Sequence, residues 1–152
     1  MHFGLSLQQR QFQDSLTRTL ADLCPPARVR SFAEAREPGA REVWRGLTAL
    51  GVPALLVPEQ HGGLGLDLLD AALAAEALGG ATAPSPFLAC AVLAPLALIH
   101  AGSPEQQARW LPRLASGETL AAVAIAEPVA GARDGAGVTA EDGRLSGAAL
   151  FV

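Results

Sequence analysis

The chain has 152 residues, a net charge of −4, and a composition that is half apolar and only 17% charged. That length holds one core-forming domain and the beginning of another, and that much apolar residue excludes a disordered chain. The acidic balance, with no basic run, excludes non-specific nucleic-acid binding.

All 11 basic residues are arginines, and Lys, Asn and Tyr are absent. This bias most simply reflects a GC-rich coding sequence. Cys24 and Cys90 lie far apart in apolar surroundings and read as buried small hydrophobes, not as a disulfide or a metal site. The longest apolar stretch, residues 86–99, is shorter than the roughly 20 residues that span a bilayer and contains Pro95. No membrane span is expected. The start, Met1-His2-Phe3-Gly4, lacks the pattern of a secretory signal, so a cytoplasmic location is expected.

The first helix opens at Ser6, with Gln9 three residues on as a capping box. Phe12, Leu16, Leu20 and Leu23 recur on one face, and Cys24-Pro25-Pro26 ends it. Residues 27–39 are charged and contain Pro38, which predicts a helical turn or two before a loop. A short helix over 41–50 turns Val43, Trp44, Leu47 and Leu50 inward, and Gly51 closes it.

Residues 52–67 carry prolines at 53 and 58 and glycines at 62, 63 and 65, so they form a packed connection and not a regular element. The Gly62-Gly63-x-Gly65 spacing lacks the Lys-Ser/Thr of a phosphate loop. It reads as a tight turn into a helix. His61 has no second His or Cys beside it, and no metal site is expected. Asp67 caps the next helix, which runs to Leu78 and is expected to stop at Gly79-Gly80; Glu76 on it reads as structural. Residues 84–101 form an apolar core helix kinked near Pro95. Ser103-Pro104-Glu105-Gln106 opens the last helix with a cap, Pro at its first position and Gln at its third.

Extended structure is expected only near the end. The apolar run Ala121–Ala126 should stop at Glu127-Pro128, because proline cannot donate to a ladder. A loop with Gly131, Gly135 and Gly137 follows, then a second extended piece around Val138-Thr139. Glu141-Asp142-Gly143 makes a hairpin turn into Arg144-Leu145, and Leu150-Phe151-Val152 begins another strand. Backbone amides of such a loop can approach a phosphate, although a plain hairpin connection is the simpler reading by physics alone.

These motifs, taken in order, resemble the acyl-CoA dehydrogenases. Glu127, Pro128, Ala130 and Gly131 match the family's Thr-Glu-Pro-x-Ala-Gly-Ser-Asp signature, which Ala126, Ala132 and Arg133 depart from. Pro58, Glu59, Gly62, Gly63 and Gly65 match its Pro-Glu-x-x-Gly-Gly-x-Gly segment. Leu111-Pro112 through Gly117-Glu118 matches its Leu-Pro-x-Leu-x-x-Gly-Glu connector.

The resemblance implies a mainly α chain: an all-helical N-terminal domain over 1–118, then residues 119–152 as the first strands of an incomplete β-barrel domain. It implies FAD as cofactor, with Val123, Ile125, Ala126, Gly131 and Ala132 facing the flavin and Ala132 also facing the substrate. It further implies α,β-dehydrogenation of an acyl-CoA, an electron-transfer flavoprotein or similar acceptor, and a homo- or hetero-oligomer. The family's catalytic base comes from a later helical domain. No residue of this chain is therefore assigned as base, and the chain is expected to be a piece of a longer protein, inactive alone. Two alternatives stand beside this: a non-catalytic partner subunit of a heteromeric enzyme, and a purely helical interaction module. The hydroxyls missing at 126 and 132 would each remove a hydrogen bond of about 0.5–1.5 kcal/mol.

Overall fold

Residues 4–35, 41–124 and 137–149 are described in the computed structural model. They contain six α-helices followed by one β-hairpin: α1 (Leu7–Leu23), α2 (Pro26–Ala35), α3 (Arg41–Ala49), α4 (Leu68–Gly80), α5 (Ala94–Ala101), α6 (Pro104–Ala115), β1 (Gly137–Glu141) and β2 (Arg144–Ala148). The chain divides into two compact units, Met1–Ala121 and Ala122–Val152.

In the first unit, helix ends follow local chemistry. Ser6, Asp67 and Ser103 each accept a backbone N–H of the first turn, and Gln9, Asp70 and Gln106 each reach back to the cap residue's own N–H. Three reciprocal capping boxes thus satisfy amides that a helix start leaves unpaired. The core joins Leu16 and Leu20 of α1, Val43, Trp44 and Leu47 of α3, Ala74 and Leu78 of α4, and Phe87 and Cys90. Gln9 Nε2 donates to Asp70 Oδ1 at 3.2 Å and Gln13 Nε2 to Glu76 Oε2 at 3.1 Å. Both numbers rise together, so α1 and α4 run in the same direction.

One expectation about the helices needs correction. Residues 27–39 hold more than a turn or two: α2 runs for 10 residues. Pro26 supplies a pre-set first position, Val29 and Phe32 pack on the core, and Arg28 pairs with Glu42 of α3. Helix α4 stops at Gly79-Gly80, as expected, and the left-handed residue just beyond it is Thr82, at φ 48°. The N–H of Ala83 reaches Leu78 O and that of Thr82 reaches Gly79 O. This is the Schellman pattern, in which the left-handed position normally favours glycine.

The irregularity expected at Pro95 is a π-helical turn over Leu88–Leu93, immediately before α5. A proline inside a helix has no N–H and its ring crowds the carbonyl four residues back. Widening the preceding turn relieves that crowding.

In the second unit, β1 and β2 pair antiparallel, from Gly137↔Ala148 to Glu141↔Arg144. The two-residue connection Asp142-Gly143 has φ of 49° and 71°. Positive φ at both positions is the turn whose twist suits a hairpin. Both strands are exposed along their length, and the hairpin excludes a purely helical module. The strand end at Glu127-Pro128, the loop after it and the third extended piece at 150–152 lie outside the described residues.

Candidate functional site

The segment singled out by sequence begins where α6 ends, and the helical unit holds that exit closely. Gly117 takes φ 70°, and a β-carbon on it would stand 2.6 Å from Thr48 Oγ1. Any other residue there would be both strained and obstructed. The indole Nε1 of Trp44 donates to Gly117 O at 3.1 Å, while Thr48 Oγ1 donates to Trp44 O at 2.8 Å. The Gly-Glu step of the connector is thus a backbone packed against α3.

Four residues on, Cys90 Sγ donates to Ala121 O at 3.2 Å and accepts from Ala121 N–H at 3.3 Å. Burial pushes the Cys90 thiol up from its ordinary range, against the lowering effect of its bond to Ala121. It therefore stays a neutral S–H donor.

Residues 121–124 form neither helix nor strand, so the strand expected from Ala121 is not formed among the described residues of that run. Ala121 and Val123 are half-buried while Ala122 and Ala124 are exposed, the two-residue alternation of an extended strand. Val123 and Ala124 offer only peptide N–H and C=O as polar groups. That donor set is compatible with a flavin edge recognised by main chain. Ile125, Ala126, Gly131 and Ala132 lie outside the described residues.

The Gly-Gly-x-Gly segment has no free anion cradle. Leu64 N–H bonds to Ala54 O at 2.9 Å, Gly65 N–H to Val57 O at 2.9 Å and Leu66 N–H to Leu55 O at 2.8 Å. Its amides are spent on folding the loop back over residues 54–57, as the tight-turn reading expects. Glu76 is tied to Gln13 on the helix surface. Among the described residues no group of three His, Cys, Asp or Glu could hold a metal ion, and no helix is long and apolar enough to cross a membrane.

Sequence reasoning missed Trp44 and Cys90 as the groups that hold the exit. A buried indole N–H needs an acceptor, so Trp44 carried a signal. Cys90, in an apolar run 31 residues from its partner, carried none.

Comparison with known proteins agrees with this architecture. The model of the acyl-CoA dehydrogenase N-terminal domain matches residues 6–118. The acyl-CoA dehydrogenase IpdE2 of Mycobacterium tuberculosis is 38% identical over 119 residues, 78% of this chain and 36% of that protein. The mitochondrial isovaleryl-CoA dehydrogenase of Pongo abelii is 32% identical over 130 residues, 84% of this chain and 31% of that one. The ChsE4–ChsE5 complex from Mycobacterium tuberculosis superimposes with a TM-score of 0.75 at 30% identity, covering 82% of this chain and 34% of the matched one.

The chain therefore has the fold of an acyl-CoA dehydrogenase N-terminal helical domain followed by the start of a β-domain. It belongs to the acyl-CoA dehydrogenase family. It spans about a third of the length of these curated relatives, 31% and 36%.

Proposed function

We propose that this chain supplies the helical domain and the flavin-facing segment of a FAD-dependent acyl-CoA dehydrogenase, which removes the α and β hydrogens of an acyl-CoA thioester. The observation that carries this is the family match over residues 6–118, continued by Glu127-Pro128-x-Ala130-Gly131 in the family's order. When bound, FAD supplies the hydride acceptor. On this reading Val123, Ile125, Ala126 and Gly131 meet the flavin through backbone, and Ala132 lies on the nucleotide and thioester side. The helical domain covers 1–118 and the β-domain begins at 119. An electron-transfer flavoprotein or similar acceptor takes the electrons, and the working form is an oligomer. Two free, buried thiols, Cys24 and Cys90, suit a reducing compartment, which supports a cytoplasmic setting.

A second reading has specific support. Ala126 and Ala132 replace the family's two hydroxyl residues, and one relative of known structure is a complex of two differently named chains. This chain would then be the partner subunit that keeps the fold while another subunit holds the working flavin.

Titrating FAD into the full-length protein and its Ala132→Ser variant, alone and with a co-expressed family member, separates the readings. The first expects saturable binding, tightened up to about tenfold by the added hydroxyl, the equivalent of one good hydrogen bond. The second expects FAD only in the mixed assembly and no effect of Ala132→Ser. Absence of FAD in every arm would overturn both.

A further inference from the structure

Alternate residues of the exit from α6 are tied down, and two of the ties come from side chains elsewhere in the helical unit. Gly117 O accepts from the Trp44 indole at 3.1 Å. Thr119 N–H bonds to Arg113 O at 3.2 Å. Both peptide groups of Ala121 bond to Cys90 Sγ, at 3.2 and 3.3 Å. One sulfur atom thereby does for Ala121 what a neighbouring strand does in a ladder, offering a donor and an acceptor to the same residue. Trp44 is 7% exposed and Cys90 2% exposed, so water cannot readily take over either role. The approach at Gly117 is so close that a β-carbon would meet Thr48.

We propose that Trp44 and Cys90 are positioning residues, which together fix the backbone of residues 117–121 and so set the starting point of the flavin-facing segment that follows. The flavin half of this rests on the reading given under Proposed function; the anchoring half does not. Cys90 acts here through Ala121, and its reactivity plays no part.

The test is amide hydrogen exchange across residues 117–124 in the flavin-free chain, for the parent, Cys90→Val, Cys90→Ser and Trp44→Phe. Valine fills the space without a polar atom, serine keeps both a donor and an acceptor, and phenylalanine keeps a ring without the N–H. Cys90→Val should speed exchange of the Ala121 amide about three- to tenfold, the worth of one modest hydrogen bond. Cys90→Ser should retain much of the protection, and Trp44→Phe should loosen residues 117–119. Unchanged exchange at the core amides of Leu16 and Leu47 shows that each variant is folded.

FAD affinity of the full-length protein forms the second readout, and it should weaken several-fold in Cys90→Val and recover in Cys90→Ser. Unchanged exchange at Ala121 in Cys90→Val overturns the anchor. Faster exchange with unchanged FAD affinity overturns the positioning role and leaves packing alone. A full-length parent that takes up no FAD, alone or in a mixed assembly, while Cys90→Val still speeds exchange refutes the flavin assignment and upholds the anchor.

Discussion

The carbonyl oxygen of Val57 occupies the space that a side chain at Gly63 would need: a β-carbon there would lie 1.9 Å from it and 2.5 Å from Val57 Cβ. The loop is drawn this close by the three backbone bonds from Leu64, Gly65 and Leu66 to residues 54–57. Gly62 differs, because its φ is 80° but nothing stands within 4 Å of a β-carbon. Gly62→Ala should therefore cost about 1–2 kcal/mol from the left-handed backbone alone. Gly63→Ala should cost about 3 kcal/mol or above, the upper end of overpacking. Denaturant midpoints with an unchanged slope would measure both, and a harmless Gly63→Ala would contradict the loop geometry.

How far the fold could be read in advance depended on whether each signal was local. The box Ser6/Gln9, the stripe Phe12–Leu16–Leu20 and the Asp142-Gly143 turn lie within a few residues of the structure they specify, and each forms as its chemistry dictates. The extent of α2 was not legible, because it depends on Val29 and Phe32 finding the core and on Arg28 finding Glu42. The end of α4 was legible only in part. Gly79 and Gly80 do mark its stop, but the left-handed position that completes the helix-ending motif falls on Thr82, which no glycine announces. At the candidate site, the peptide-only character of Val123 and Ala124 was plain in the sequence. The ties from Trp44 and Cys90 span 73 and 31 residues, beyond the reach of any local pattern.

Glu76 provides a check on the separation of structural from catalytic carboxylates. Its Oε2 accepts from Gln13 Nε2 at 3.1 Å on an exposed face. Glu76→Gln keeps an amide oxygen for that bond, so stability should stay within about 0.5 kcal/mol of the parent, as for ordinary surface changes. Turnover by any active assembly that contains this chain should also be unchanged. A collapse of activity with stability intact would identify Glu76 as an acid or base.

The alkaline limb of stability should report the two thiols. Burial raises both Cys24 and Cys90 above the ordinary value of 9.0, with Arg28 acting in the opposite direction on Cys24 and the Ala121 bond on Cys90. A group whose folded pKa is raised releases its proton first from the unfolded chain. The associated stability is complete below about pH 9 and declines as the pH climbs through the folded values. The sequence has no lysine and no tyrosine to lose a proton in the same alkaline range. The melting temperature should fall as the pH rises above about 9, and fall less in Cys24→Ser and Cys90→Ser variants. A flat profile in the parent would mean the thiols are not desolvated as described.

The end of α4 offers a gain of stability. Thr82 is β-branched yet sits at φ 48°, where a branched side chain crowds the following carbonyl. Its N–H and that of Ala83 already make the two bonds of the helix-ending motif, so the backbone has no need to change. Thr82→Gly should remove the crowding and stabilise the chain by about 1 kcal/mol, less the extra freedom glycine gives the unfolded state. Two residues earlier the situation is reversed. Gly80 lies within the helix, with open space around the position of a β-carbon, and Gly80→Ala should add up to about 1 kcal/mol through helix propensity. The two positions are close enough to couple, so the double variant tests whether the gains add. Thermal unfolding of the four proteins is the measurement. Destabilisation by Thr82→Gly would show that the left-handed residue is elsewhere, and destabilisation by Gly80→Ala would show that the last helical position has no room for a β-carbon.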